Sequence, residues 1–303
     1  MPDPAPAAPK VRPPTLPLGG ERAAPRQRLP RMDDRLPLGL TGLTVSPFAL
    51  GITTPETVLA AYDRGINFFF LTADLHWPIY GGLRQGLARL FAERPGSRDE
   101  VVVGVVSYLE QPLFGALQFH EVIQVVEGLE RVDVLIAGAI PGEASLLGRF
   151  NAIHGARAAG HNGARAIGAS FHDRRAALLS IGHNLLDVNF IRYNPSHPGA
   201  VTEIFPFLRP DRTGLIFNFK STMSLVQPDQ FRQLGLDSRH WLPHPTDYYR
   251  FALTVPGMDG VLCSPQSPEE LAGIAEAMER GPLSPEEVAY MGWLSSSVHP
   301  RYF

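Results

Sequence analysis

Eight short apolar runs recur along the chain: Phe48 to Gly51, Asn67 to Leu71, Val101 to Val106, Val134 to Ala137, Ala164 to Ala169, Leu186 to Ile191, Gly214 to Phe219 and Gly260 to Cys263. They are near-continuous in Val, Ile, Leu and Phe, the pattern of strands buried on both faces in a parallel sheet. The segments between them carry helical start and stop signals. Thr54-Pro55-Glu56 offers an N-cap and a proline at the first helical position, and Gly65 ends the segment that runs through Tyr62. Ser267-Pro268-Glu269-Glu270 and Ser284-Pro285-Glu286-Glu287 read as capping boxes. Strands alternating with helices at roughly 30-residue spacing predict an α/β fold, a (β/α)8 TIM barrel with its chemistry on loops at the C-terminal strand ends. A doubly wound sheet is the competitor, and it lacks the Gly-x-Gly-x-x-Gly that would follow an early strand.

Ahead of the first run, Leu38-Gly39-Leu40-Thr41-Gly42-Leu43-Thr44-Val45-Ser46 sets glycines between alternating apolar residues, which predicts a small hairpin capping the bottom of the barrel. Residues 1–36 are dense in Pro, Ala and Arg without apolar periodicity and are expected to be disordered or loosely wrapped. Prolines from Pro2 to Pro17 leave no room for the apolar core of a signal peptide. A docking arm for a protein partner and an inert extension are both readings of this stretch. The expected organisation is thus an arm over 1–36 and one barrel over 37–303.

Composition narrows the class. The 303 residues, 44% hydrophobic and 19% charged, suffice for one large core. A net charge of -3 gives no field for nucleic acid or anionic lipid. No apolar run reaches the roughly 20 residues of a membrane helix. The single cysteine, Cys263, excludes an internal disulfide and suits a reducing compartment, although a periplasmic protein can also lack disulfides; a cytoplasmic protein is expected.

The stretch Gly65-Ile66-Asn67-Phe68-Phe69-Phe70-Leu71-Thr72-Ala73, followed by Tyr80-Gly81-Gly82, resembles the second strand and catalytic loop of the aldo-keto reductases. Further matches are Arg98-Asp99-Glu100-Val101-Val102-Val103, Ala166-Ile167-Gly168-Ala169-Ser170, Tyr193-Asn194 and the turn from Cys263 to Leu271. Ser170-Phe171-His172-Asp173 and Phe219-Lys220 look most like a distant branch of the family that sometimes carries an iron-sulfur module, for which this chain has no cysteine cluster. The resemblance implies the barrel fold and hydride transfer between a nicotinamide dinucleotide, NAD or NADP, and a carbonyl or imine. It also implies a catalytic set of Asp, Tyr, Lys and His, in which Tyr80 matches the proton donor. The other three positions fall on Phe70, Val106 and Gly138.

Without a lysine to lower its pKa from about 10, a tyrosine is a weak acid catalyst at neutral pH. Asp74, His76 and Lys220 are the candidates to replace the missing groups. For the cofactor, the resemblance implies Ser170 at the nicotinamide amide, Phe219 or Phe217 as the stacking face, and Ser264 and Ser267 on the turn after the eighth strand. Its Asn and Gln positions fall on Phe171 and Phe190. Glu269 and Glu270 begin the next helix and would repel a 2′-phosphate, which favours NAD.

For the substrate, Trp77 and His172 lie on mouth loops, and Arg192 is placed to bind a carboxylate bidentately or to pair within the barrel wall. Trp77, Trp241, Tyr248 and Tyr249 are read as lid or loop-packing aromatics. Two other functions stand beside the reductase. One is a redox-silent barrel that performs an elimination or isomerisation, or that partners another enzyme. The other is a metal site assembled from Asp74, His76, His172 and Asp173.

Overall fold

The computed structural model describes residues 26–73, 76–159, 162–223 and 225–299. Each of the eight apolar runs forms a strand, because a segment apolar on both sides is buried on both sides only within a wall covered inside and out. A hairpin, β1 (Leu36–Leu38) and β2 (Leu43–Val45), precedes β3 (Phe48–Leu50), β4 (Phe68–Thr72), β5 (Val102–Ser107) and β6 (Val134–Ile140). The wall continues with β7 (Ala166–Phe171), β8 (Val188–Arg192), β9 (Leu215–Phe219) and β10 (Gly260–Cys263). Strands β3 to β10 are parallel neighbours in chain order, and β10 pairs with β3 to close the barrel.

The helices are α1 (Pro55–Asp63), α2 (Gly81–Glu93), α3 (Ser97–Glu100), α4 (Pro112–Val125), α5 (Glu143–Ala158) and α6 (Arg174–Gly182). They continue as α7 (Ala200–Glu203), α8 (Pro228–Gln233), α9 (Pro245–Thr254), α10 (Pro268–Glu279) and α11 (Pro285–Val298). Ser284 and Glu287 close the reciprocal box expected at α11. At α10 the box differs: Ser267 Oγ accepts from the Glu270 N–H, but the Glu270 carboxylate accepts from the Gln266 N–H at 2.8 Å.

The lumen is filled by aromatic rings. Phe68 on β4 meets Phe190 on β8 at 6.3 Å and Phe217 on β9 edge-on at 5.6 Å. β4 is not a neighbour of either strand, so these contacts cross the interior. Gly104 and Gly260 make room for them, since a Cβ there would lie 3.3 Å from the Phe68 ring and 2.5 Å from the Phe217 ring.

The hairpin seals the N-terminal end. Asn67 donates to the Thr44 carbonyl at 3.0 Å and Arg165 to the Thr41 carbonyl at 2.8 Å, both from residues that precede barrel strands. Gly39 and Gly42 hold positive φ of 55° and 75° at its turn. Residues 1–25 of the expected arm lie outside the described residues. From residue 26 the chain is packed, earlier than its composition suggests: Leu29 and Met32 are buried in the core, and Arg26 donates to the Met258 carbonyl.

One polar device repeats around this end. Asn67, Asp133, Asp187 and Asp259 each sit one residue before β4, β6, β8 and β10. Their side-chain oxygens accept from the backbone N–H of Ser46, Val103, Ile167 and Ile216, at or near the start of the preceding barrel strand, at 2.6 to 2.9 Å. Every second strand is thereby pinned to its neighbour by a buried or half-buried acceptor.

The Tyr80-Gly81-Gly82 motif has a packing reason of its own. A Cβ on Gly82 would lie 2.0 Å from the Thr53 carbonyl oxygen, whereas one on Gly81 has its nearest neighbour at 3.9 Å. Gly82→Ala is therefore expected to destabilise the protein by about 1–3 kcal/mol while Gly81→Ala is tolerated, as read from melting temperatures. Equal melting temperatures for the two variants would contradict the close approach of α2 to the Thr53 backbone.

Candidate functional site

The C-terminal strand ends form the barrel mouth, and side-chain alternation decides which residues face it. Phe70 meets Phe190 edge-on at 5.0 Å across the lumen, so the same faces of β4 and β8 carry Thr72 and Arg192 to the rim. Phe217 likewise projects Phe219 to the rim from β9. Thr72 is 2% exposed, and its hydroxyl has no hydrogen-bond partner among the described residues. A buried hydroxyl left unpaired is unfavourable.

The positions that match the missing catalytic residues are closed by apolar packing. Phe70 and Phe190 fill the floor together. A Cβ on Gly138 would lie 2.6 Å from the Tyr108 ring and 2.8 Å from a Val106 methyl, so Tyr108 occupies the space above Gly138. Val106 is fully buried.

Tyr80 ends a short 3₁₀ turn, Trp77–Tyr80, that leads directly into α2, and it is 6% exposed. The Arg84 guanidinium lies 3.7 Å over the Trp77 ring and donates to the Trp77 carbonyl, bracing the turn. His76 is exposed with its ring 5.6 Å from Tyr108. Asp74 lies outside the described residues.

On the far side of the mouth, Ser170 Oγ accepts from the Ala139 N–H at 2.8 Å and supports a residue with φ of 50°. That bond leaves the hydroxyl hydrogen available to a ligand. His172 stands edge-on to Phe219 at 5.9 Å, and Lys220 Nζ is 6.0 Å from the same ring. Burial, then the Lys220 and Arg192 charges, hold the His172 pKa below its ordinary value. Lys220 is exposed, with φ of 57°. Ser264 is exposed on the turn after β10, and Ser267 is the N-cap of α10.

Next to this group, His197 is buried, and its pKa is pushed down to about 4 by burial and then by the Arg192, Arg174 and Lys220 charges. A native state that keeps this imidazole neutral loses stability as pH falls from about 6.5 towards 4, because the unfolded chain takes up the proton first. The expected slope is up to about 1.4 kcal/mol per pH unit, absent in His197→Gln and measurable as urea midpoints across that range. Identical slopes for the two proteins would contradict this assignment.

One expectation changes. Tyr248 and Tyr249 are core residues of α9, and Tyr248 Oη accepts from the Val226 N–H at 3.0 Å, so neither is a lid residue. Trp241 is half-buried and stacks on Tyr290 of α11 at 5.9 Å. No group of three or more His, Cys, Asp or Glu able to hold a metal occurs among the described residues. Nor is any described helix long and apolar enough to cross a membrane. Thr72 and Tyr108 are the mouth residues that the sequence reading missed. The period of two running from Phe68 signals Thr72, whereas Tyr108 over Gly138 is purely tertiary.

No family model and no curated protein matches the chain. Solved structures do match it in fold. An aldo-keto reductase from Bacillus halodurans aligns with a TM-score of 0.64 at 14% identity, over 89% of this chain and 99% of that one. An aldo-keto reductase from a Medee basin deep-sea metagenome library aligns at 0.61 and 14% identity, over 86% and 94%. A Pseudomonas aeruginosa protein provisionally assigned as an aldo-keto reductase aligns at 0.57 and 17% identity, over 83% and 98%.

Proposed function

We propose, from a barrel fold shared with aldo-keto reductases, that this protein is an oxidoreductase of the same type with an altered site, reducing a small-molecule carbonyl or imine. The observation that carries this reading is Tyr80, buried at the head of α2, taken together with the sequence resemblance of the Tyr80-Gly81 stretch to the family's proton donor. The residues at the rim fit a nicotinamide dinucleotide. Phe219 offers a half-buried ring, while Ser170 and the unpartnered Thr72 hydroxyl offer hydrogen bonds towards an amide. At the start of α10 the helix terminus is already complemented by its own side chains, with Ser267 on the Glu270 N–H and Glu270 on the Gln266 N–H. That end suits the free 2′-hydroxyl of NAD and disfavours the 2′-phosphate of NADP.

When bound, NADH supplies the hydride. Tyr80 supplies the proton to the substrate oxygen or nitrogen, and the Phe70 and Phe190 floor excludes water beneath the reacting carbon. Asp74, His76 and Lys220 remain the groups proposed to assist Tyr80 in place of the missing lysine. The test is NADH oxidation with a panel of small aldehydes, ketones and imines. Oxidation above the protein-free rate with at least one compound is expected. A protein that binds NADH yet oxidises it with none of them contradicts the reading.

A further inference from the structure

A cavity of about 450 Å³ opens between the segment that enters the hairpin and the barrel wall, with Arg26, Arg28, Asp34, Arg35 and Asp259 on its lining. Asp259 stands one residue before β10 and Arg35 one residue before β1, so the cavity lies at the N-terminal end of the barrel, away from the mouth. Both of its carboxylates are engaged. Asp34 accepts from the two Nη atoms of Arg28 at 2.8 and 3.2 Å and from the Arg31 N–H at 2.8 Å. Asp259 accepts from the two Nη atoms of Arg212 at 2.7 and 2.8 Å and from the Ile216 N–H at 2.7 Å.

These pairs leave out Arg26 and Arg35. Arg26 Nη2 donates to the Pro256 carbonyl at 3.3 Å and to the Met258 carbonyl, and Arg35 Nη1 donates to the Asp33 and Asp34 carbonyls at 3.2 and 3.0 Å. Among the described residues neither guanidinium has a carboxylate within ion-pair distance, so four guanidiniums, those of Arg26, Arg28, Arg35 and Arg212, share two carboxylates. A guanidinium carries five N–H donors, and the backbone carbonyls occupy only one Nη of each unpaired arginine. Arg26 is half-buried, and burial lowers its pKa from the ordinary value against the Asp259 charge. A half-buried cation held by carbonyls alone is short of counter-charge, which an anion in the cavity would supply.

We propose that this cavity binds a small anion through a carboxylate or phosphate group, held by Arg26 and Arg35. Planar guanidiniums suit either group, because paired N–H donors match its oxygens. The site stands apart from the reductase reading, since neither arginine belongs to the mouth.

The test is calorimetric titration of the full chain, without nucleotide, using inorganic phosphate and succinate as separate probes. Saturable binding of at least one probe is expected with a dissociation constant below about 1 mM, and the preferred probe tells phosphate from carboxylate recognition. Arg35→Gln and Arg26→Gln should each weaken it about tenfold or more, the scale of one charge-assisted hydrogen bond. Arg239→Gln, at an exposed pair with Asp237, should leave it unchanged. Arg35 is exposed and its side chain bonds only the carbonyls of Asp33 and Asp34, so its variant remains informative if Arg26→Gln does not fold. No saturable binding of either probe, or equal binding by the parent and the Arg35 variant, would overturn the inference. Binding lost in Lys220→Met and kept in Arg35→Gln would overturn it too, since the anion would then sit at the mouth.

Discussion

Tyr80→Phe is expected to bind NADH as the parent protein does and to turn over a carbonyl compound about 10²- to 10⁴-fold more slowly, the range for removing a positioned proton donor. The substitution deletes one hydroxyl from a ring that is 6% exposed and keeps the apolar body, so the surrounding packing is retained. The effect should fall on kcat, because the proton is transferred in the transition state and contributes little to ground-state binding. Paired measurements of kcat and of the NADH dissociation constant check this. A variant with undiminished kcat would remove Tyr80 from the chemistry. One with weakened NADH binding and unchanged kcat would make it a binding residue instead.

The strands were legible in the sequence because burial on both faces writes an apolar run that needs no partner to be recognised. The hairpin was legible for a similar local reason, since Gly39 and Gly42 take positive φ at its turn. The mouth was less so. Phe70 and Phe190 lie far apart in sequence and close the floor by meeting across the lumen, and Tyr108 covers Gly138 from a neighbouring strand. Such substitutions look like losses one at a time and show their joint packing only in the fold. Tyr248 and Tyr249 misled because aromatic residues in a long connection look like a lid. The His244-Pro245-Thr246-Asp247 start that makes them helical is a capping box built on histidine in place of Ser or Thr. The Asn or Asp before every second strand stands in the sequence as single polar residues, Asn67, Asp133, Asp187 and Asp259, ahead of apolar runs. Its meaning emerges only when each is seen to accept from the strand before it.

The second large effect is expected at that device. Asp133 is 1% exposed and accepts from the Val103 N–H at 2.8 Å while pairing with Arg98 at 2.9 Å. Arg98, 7% exposed, also donates to the Leu129, Val101 and Arg131 carbonyls. Asp133→Ala leaves a buried guanidinium without its carboxylate and a strand N–H without its acceptor. The expected loss is about 3–5 kcal/mol, the range for breaking one partner of a buried pair. Asp99→Ala removes an exposed partner of Arg131 and should change stability by less than about 1 kcal/mol. Urea unfolding of the two variants separates these cases. An Asp133→Ala loss no larger than that of Asp99→Ala would show that the pins at the N-terminal end do not hold the barrel.

The most direct test of the reductase account is titration of the purified protein with NADH and NADPH separately, following nucleotide fluorescence and melting temperature. The account predicts saturable binding, tighter for NADH. At about 100 times the dissociation constant the bound nucleotide should add roughly 2.7 kcal/mol of stability, seen as a raised melting temperature. No fluorescence change and no melting shift with either nucleotide up to about millimolar would contradict hydride transfer, because a ligand that stabilises the native state must raise its melting point by mass action. The fold would then belong to a barrel whose small-molecule chemistry is not redox.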